Sequence, residues 1–465
     1  MNPQLTLGNH AVVIGGSIAG LMAARILSDH FAQVTILERD PVDATPQARK
    51  GQPQVRHLHA LLAGGLDVMK AYFPGFEQTL EAAGAQIGDG EYLRWYGYGG
   101  YRMAGATGVP GVFASRPLIE WCVRQRVLAL PNVTLRDEIG VEALQMTADN
   151  RRVTGVQIVH RREEKRREAL SAELVVDASG RGSSMPKWLT ELGYAAPEES
   201  TIKAGIGYAT RLYARQPGNG PVTGYYITPD APDGLRGGGA FPIEGDRWIV
   251  TLAGYLGDHA PTDDAGFLAY AATLPTSDIY DLIRTAEPLT EVMVHKYPSS
   301  LRRHYETLKR FPERLLVLGD AMCSFNPIFG QGMTVASKEA AALDALLRER
   351  RSLDGLWKPF FKAAATIVAV AWELTAGEDF RYPAAEGKRP AGLALLNAYV
   401  GKMHRATHHD MEVYRAFLRV AHLQAPPTTL MHPKIMWRVL RAPGRSTPTN
   451  LATASNKPSA AREAA

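Results

Sequence analysis

The chain has 465 residues, 45% of them hydrophobic and 21% charged, which excludes both a single small domain and an unstructured polymer. Its 52 Lys and Arg stand against 47 Asp and Glu, an excess too thin over so large a surface to imply nucleic-acid binding. Two widely separated cysteines, Cys122 and Cys323, exclude a disulfide scaffold, a Cys-x-x-Cys redox pair and a cysteine-rich zinc site, and they fit a cytoplasmic location.

The first residues, MNPQLTLGNHAVVIGG, run straight into a strand pattern with no basic stretch ahead of an apolar one, so no signal peptide is expected. β-Branched residues at 12–14, a glycine turn, the helical stretch SIAGLMAARILSDH and a second strand, QVTILERD, make a βαβ unit. Residues 41–53 read as a surface loop and 59–71 as a helix. The Gly, Tyr and Trp alternation of EYLRWYGYGGYRMAG suits short strands, and 116–130 returns to helical spacing. Four strands follow: NVTLRD, GVEALQM, RVTGVQIVH and AELVVDAS. The basic stretch between the last two, Arg161 to Arg167, is expected to be a solvated hairpin tip.

Between 204 and 255 four more strands, separated by Pro, Gly and Asp turns with no helix among them, predict an antiparallel sheet. Helical patterns occupy 264–284, ERLLVLGDA is a strand and turn, and 332–351 is an Ala- and Leu-rich helix. The chain then looks helical to about 441, and its tail is disordered by composition. The longest apolar run, AAATIVAVAW, is about half the roughly 20 residues that a spanning helix needs, so no membrane span is expected.

Gly15, Ser17 and Gly20 form G-x-S-x-x-G between a strand and a helix, with Glu38 ending the next strand. Gly15 allows the tight turn, a small residue at 17 lets backbone approach a pyrophosphate at the helix N-terminus, and Gly20 lets helix and strand pack closely. Glu38 would hold ribose hydroxyls. Downstream, LLVLGD ends in Gly319 and Asp320, and Asn326, Pro327, Gly330, Gln331 and Gly332 precede a long helix. An aspartate leaving a strand accepts hydrogen bonds from polyol hydroxyls, and a helix start offers N–H groups to a developing anion. A flavin presents both partners.

GGSIAG with Glu38, DASGRGS from Asp177 and LGDAMCSFNPIFGQGM from Leu318 together resemble the single-chain FAD-dependent monooxygenases of the para-hydroxybenzoate hydroxylase fold. GQPQVRHLHALLAGGLDVM, GYATRLY and PIEGDRWIVTLAG resemble more closely the bacterial polyene epoxidases of polyether biosynthesis, on the squalene-epoxidase-like side of that family. The resemblance implies an α/β fold, with a Rossmann-type FAD-binding domain, an inserted antiparallel-sheet substrate domain and a C-terminal helical region. FAD-binding parts would span 1–84, 115–195 and 291–350. Substrate-domain strands would occupy 85–114, the substrate domain itself 196–290, the helical region 351–441 and the tail 442–465.

Carried over by position, the resemblance puts Gly15, Ser17 and Gly20 on the pyrophosphate, Glu38 and Arg39 on the adenosine, and the Val141 backbone near the adenine. Arg116 would contact the FAD phosphates or ribityl chain, and Gly319 and Asp320 the ribityl hydroxyls. Pro327, Gly330, Gly332 and Met333 would lie beside the isoalloxazine, and Arg56 near its mobile edge. DASGRGS departs from the aromatic hydroxylases' Asp-Gly-x-x-Ser-x-x-Arg form, so no pyridine-nucleotide role passes to Asp177 or Arg181.

The implied reaction is insertion of one oxygen atom from O2 into an apolar natural-product intermediate, a polyene or terpenoid, by alkene epoxidation through a flavin C4a-hydroperoxide. Electrons would come from NAD(P)H or a separate flavin reductase, since only one nucleotide fingerprint exists. Tyr208, Tyr225, Tyr226 and Phe241 are the expected aromatic lining of the pocket. Aromatic hydroxylation, prenyl-chain reduction and a flavin-free lipid or protein binder are the alternatives, while halogenation is disfavoured because no Trp-x-Trp-x-Ile-Pro segment occurs. His404, His408, His409 and Asp410 read as a solvated or interfacial cluster, not a metal site; His57 and His59 could approach the flavin, with loop-to-helix packing the favoured reading. Met436, Trp437 and Leu440 beside Lys434, Arg438 and Arg441 form an amphipathic segment, a helix capping the substrate domain or a weak membrane-surface contact.

Overall fold

The computed structural model describes residues 7–49, 51–162, 166–216 and 224–443. Residues 163–165 of the expected hairpin tip, and all of the expected tail beyond Pro443, lie outside the described residues.

Five parallel strands form the first sheet, in the order Leu315–Val317, Leu174–Asp177, Gly8–Ile14, Phe31–Leu37 and Val133–Arg136. Both faces are covered, which is why strands such as AVVI read as unbroken apolar runs: Ala11, Val12 and Val13 are wholly buried. Helix Ile18–Leu27 lies close to the sheet because Gly20 has no side chain; a Cβ there would stand 1.8 Å from the Gly15 carbonyl oxygen. Helices Arg116–Leu128 and Gly332–Arg348 pack beside it. Ser115 caps the former, its hydroxyl accepting the Leu118 N–H at 3.2 Å. A second, antiparallel sheet of Ile139–Met146, Val153–His160 and Arg167–Ser171 contributes Val153, Val156 and Ile158 to the same core.

The substrate-domain sheet has seven strands, in the order Met293–Lys296, Gly207–Ala214, Arg247–Gly254, Arg236–Ile243, Gly224–Ile227, Leu93–Gly97 and Gly100–Tyr101. It is antiparallel except where Gly224–Ile227 runs parallel to Leu93–Gly97. Its membership corrects three expected boundaries. Met293–Lys296 pairs with Gly207–Ala214, so the sheet passes residue 290. Glu199–Lys203 instead pairs with Ser300–Arg303 in a four-stranded sheet. Within 85–114 only the middle strands join the large sheet; Gln86–Gly88 and Gly111–Phe113 pair around Ala60–Leu61. That pairing takes the first residues of the helix expected at 59–71, which spans Ala63–Tyr72.

The C-terminal region is helical: Trp357–Asp379, Leu393–Ala406, Met411–Ala421 and Pro433–Arg441. The first of these is 23 residues long and, by length and composition, apolar enough to cross a membrane. The sequence expectation measured only its most apolar run. One face of this helix, with Phe360, Phe361, Ala364, Val368 and Ala371, packs into the main core.

Candidate active site

Two cavities meet between the sheets. The first, a cleft of about 640 Å³, runs along the C-terminal ends of the parallel strands. Gly15 enters it with φ +105°, a conformation open to glycine, and a Cβ there would lie 2.4 Å from the Ala178 carbonyl oxygen. Gly15, Ser17, Glu38, Arg39, Arg116, Val141, Asp320, Pro327, Gly330, Gly332 and Met333 all line it. The N-termini of Ile18–Leu27 and Gly332–Arg348 open on the same cleft.

Ser17 at the position usually held by glycine has a local cause. Its hydroxyl donates to Glu120 Oε2 at 2.9 Å and accepts from Arg116 Nη2 at 3.0 Å. Glu120 is buried and also pairs with Arg49 and Arg116. Arg49 in turn lies 2.7 Å from Glu38 Oε2 and donates to the Gly16 carbonyl at 3.2 Å. Glu38 further accepts the Gly16 and Asp40 N–H groups at 2.9 and 3.0 Å. With Arg124 beside Glu120 and within reach of the Asp43 charge, three guanidiniums and their carboxylates form a buried ionic network behind the glycine turn. Sequence reasoning missed Arg49 and Glu120: the first lies in an aperiodic loop, and the second reads as an ordinary polar helix position.

Asp320 presents a carboxylate to which no donor among the described residues forms a hydrogen bond, and burial pushes its pKa up against the opposing charges of Arg116 and Arg181. Gly319, at φ +66°, donates its N–H to Glu339 Oε2 at 2.7 Å. Burial raises that glutamate to about 8, beyond what the Gly319 bond offsets. Gly20 and Gly319 shape the cleft without lining it. Arg56 is exposed and lines neither cavity, a correction that follows from its place at the end of the short turn Pro53–Arg56. Asp177 is a turn anchor: its carboxylate accepts the Ser179 N–H at 3.0 Å and the Ser183 hydroxyl at 2.5 Å.

The second cavity, about 340 Å³, is mostly apolar and lies between the seven-stranded sheet, the turn Pro327–Phe329 and the C-terminal helices. Tyr208, Tyr226 and Phe241 line it. Tyr208 donates to Asn326 Oδ1 and Tyr226 to the Ile328 carbonyl, each at 2.8 Å, tying the sheet to the turn. Tyr225 does not line the cavity: strand alternation sends it to the opposite face, against Trp248. Gln54, His59, His295, Pro327, Gly330 and Gln331 border both spaces. His57, which lines the apolar cavity, shares a 2.7 Å hydrogen bond with Thr210, and burial lowers it to about 3; burial likewise lowers His59 to about 4. His57 thus lines the apolar cavity and His59 both spaces, the alternative to loop-to-helix packing that the sequence leaves open.

The C-terminal histidines diverge. His404 stacks on Tyr98 and His408 shares a hydrogen bond with the Gly97 carbonyl at 3.0 Å, and among the described residues no group of three metal-ligating side chains occurs.

The cleft fits a dinucleotide: a glycine turn at a helix start with the Arg116 guanidinium on the same wall suits a pyrophosphate, and Asp320, free of protein donors among the described residues, suits a polyol. The fold is that of flavin-dependent monooxygenases and their structural kin. A probable FAD-dependent monooxygenase from Pseudomonas aeruginosa, PqsL, superposes with TM-score 0.59 at 16% identity, over 88% of this chain and 99% of that one. The flavin-dependent brominase Bmp2 gives 0.65 at 14%, over 94% and 98%. A flavoprotein/dehydrogenase from Cytophaga hutchinsonii gives 0.62 at 15%, over 93% and 99%. In sequence, the chain is 34% identical over 430 residues to Protein Rv3254 of Mycobacterium tuberculosis, covering 88% of this chain and 89% of that protein, and it belongs to the same family. No family model matches the chain.

Proposed function

We propose that this chain is an FAD-dependent monooxygenase that transfers one oxygen atom from O2 to an apolar small molecule, by epoxidation of a carbon–carbon double bond. The observation that carries the reading is the junction of the two cavities: the turn that would flank the isoalloxazine, Pro327 to Gly330, is also a wall of the apolar cavity. When bound, FAD supplies the oxygen activation. The pyrophosphate would rest on Gly15, Ser17 and Arg116, the adenosine on Glu38, Arg39 and Val141, the ribityl chain on Asp320, and the ring system on Pro327, Gly330, Gly332 and Met333. Reducing equivalents would come from NAD(P)H or a separate flavin reductase.

The chain's own contribution is placement and exclusion of water. Tyr208, Tyr226 and Phe241 shape an apolar space in which an alkene is held against the turn. Epoxidation needs no protein base, and the histidines that line the cavity are weak ones: burial lowers His57, His59, His295, His404 and His422 alike, His57 to about 3 and His59 to about 4, while Glu378 is engaged by Tyr98 and Arg381. This favours an alkene over a phenol. The test is FAD content of the purified protein, followed by anaerobic reduction and mixing with isotopically labelled dioxygen and a polyene such as farnesyl acetate. One labelled oxygen atom in the product supports the reading. Alkene reduction without oxygen consumption would replace it with a reductase, and absence of FAD with a binder.

A further inference from the structure

Arg102 follows strand Gly100–Tyr101 and is 6% exposed on the wall of the apolar cavity. Its Nη1 donates to Thr407 Oγ1 at 2.6 Å, and its Nη2 lies 3.0 Å from His404 Nδ1. The guanidinium sits 4.1 Å over the Trp95 ring and 4.7 Å over Phe417. None of these partners carries a negative charge, and burial, which lowers His404 to about 4, leaves its imidazole neutral. The wall's carboxylates are committed elsewhere. Glu378 accepts from Tyr98 at 2.6 Å and Arg381 at 3.1 Å, and pairs with His404 Nε2 at 3.6 Å. Asp89 accepts the N–H groups of Thr107 and Gly108 at 2.8 and 2.7 Å, and Glu373 is exposed. A buried cation without a carboxylate partner is costly, and ring faces offset only part of that cost.

A second observation points the same way. Arg102 Nε, Trp95 Nε1 and the Tyr414 hydroxyl are buried with no hydrogen-bond partner among the described residues, and all three side chains line this cavity. Buried donors are ordinarily paired, so three orphans around a cation that Glu378 reaches only across His404 call for an outside acceptor.

We propose that this wall anchors an ionised oxygen function of the substrate, a carboxylate in the simplest case, while its unsaturated apolar body packs along Tyr226 toward the turn Pro327–Phe329. Tyr226 makes the connection, its ring 5.2 Å from Trp95 and its hydroxyl on the Ile328 carbonyl. The substrate is then an apolar acid rather than a plain hydrocarbon. This rests on reading the cavity as the substrate site of the proposed monooxygenase.

The test uses the purified full-length protein with farnesoic acid and methyl farnesoate, which share one unsaturated skeleton and differ in charge. Binding is followed by tryptophan fluorescence, with flavin content and oxygen uptake measured separately. The acid should bind roughly tenfold or more tightly than the ester, as a charge-assisted contact implies. Arg102→Gln should erase that preference by weakening acid binding far more than ester binding. If this variant fails to fold, Tyr414→Phe and Trp95→Phe, which remove orphaned donors, should each narrow the preference severalfold. Equal affinities in the wild type, tighter ester binding, binding of neither probe, or a preference untouched by the variants overturns the anchor. An acid preference without flavin or oxygen uptake would sink the monooxygenase and leave the anchor standing.

Discussion

Asp320 illustrates how a single side chain carries the expected cofactor chemistry. Its half-buried carboxylate lines the cleft without a donor from the described residues, so hydroxyls of a bound polyol would supply the missing hydrogen bonds. Asp320→Ala should weaken FAD retention by about tenfold or more, read as the flavin-to-protein absorbance ratio after dialysis. Gly15→Ala meets both an unfavourable φ and the Ala178 carbonyl, and should cost about 2–4 kcal/mol in denaturant unfolding. Glu339 gives a pH prediction. Its folded pKa of about 8 exceeds its ordinary 4.5, so the fold prefers the protonated acid. That stabilisation is complete below 4.5 and is lost as pH rises through 8. Relative to Glu339→Gln, the wild-type Tm should fall by roughly 2–5 °C between pH 5 and 8; parallel curves for the two proteins would refute it.

At the scale of elements, strand Gly224–Ile227 separates two neighbouring tyrosines by parity. Tyr226 lines the cavity and Tyr225 packs on Trp248. Tyr226→Ala should change product distribution with flavin content intact, whereas Tyr225→Ala should leave the distribution alone and cost about 2–4 kcal/mol of stability. Product analysis paired with denaturant titration checks both. The strand was plain in the sequence, because TGYYIT sits between turn residues, but its face was not: YY offers no polar partner to mark which side meets solvent. The same ambiguity hid Arg102, which looks like a loop cation until the helices Leu393–Ala406 and Met411–Ala421 enclose it.

Over the whole molecule, the dinucleotide half was legible because its chemistry is local: glycine turn, acid at the next strand end, and Gly-Asp ahead of a helix all lie at short spacings. The supporting network was not, since Arg49, Glu120 and Ser17 meet only after the loop of 41–53 folds back. The extent of the large sheet was partly hidden too: Leu93–Gly97 falls within the expected substrate-domain strands, but Met293–Lys296 joins from beyond the expected boundary. One global consequence is testable with thiol reagents. Cys122 and Cys323 are almost wholly buried, and burial pushes both thiols up, Cys122 to about 11. Iodoacetamide should label neither in the native protein and both once denaturant unfolds it; rapid labelling of native protein would contradict this packing.

The roof of the apolar cavity comes from Val400, Phe417, Leu418 and Leu430, and His422 fastens it to helix Ala63–Tyr72 by accepting the Ala63 and Gly64 N–H groups. Every residue lining the dinucleotide cleft lies at or before Ala336. On the ribosome, therefore, the cradle for the cofactor has fully emerged while the roof is still being translated. Cofactor loading can precede closure, and the chamber for the substrate is completed last.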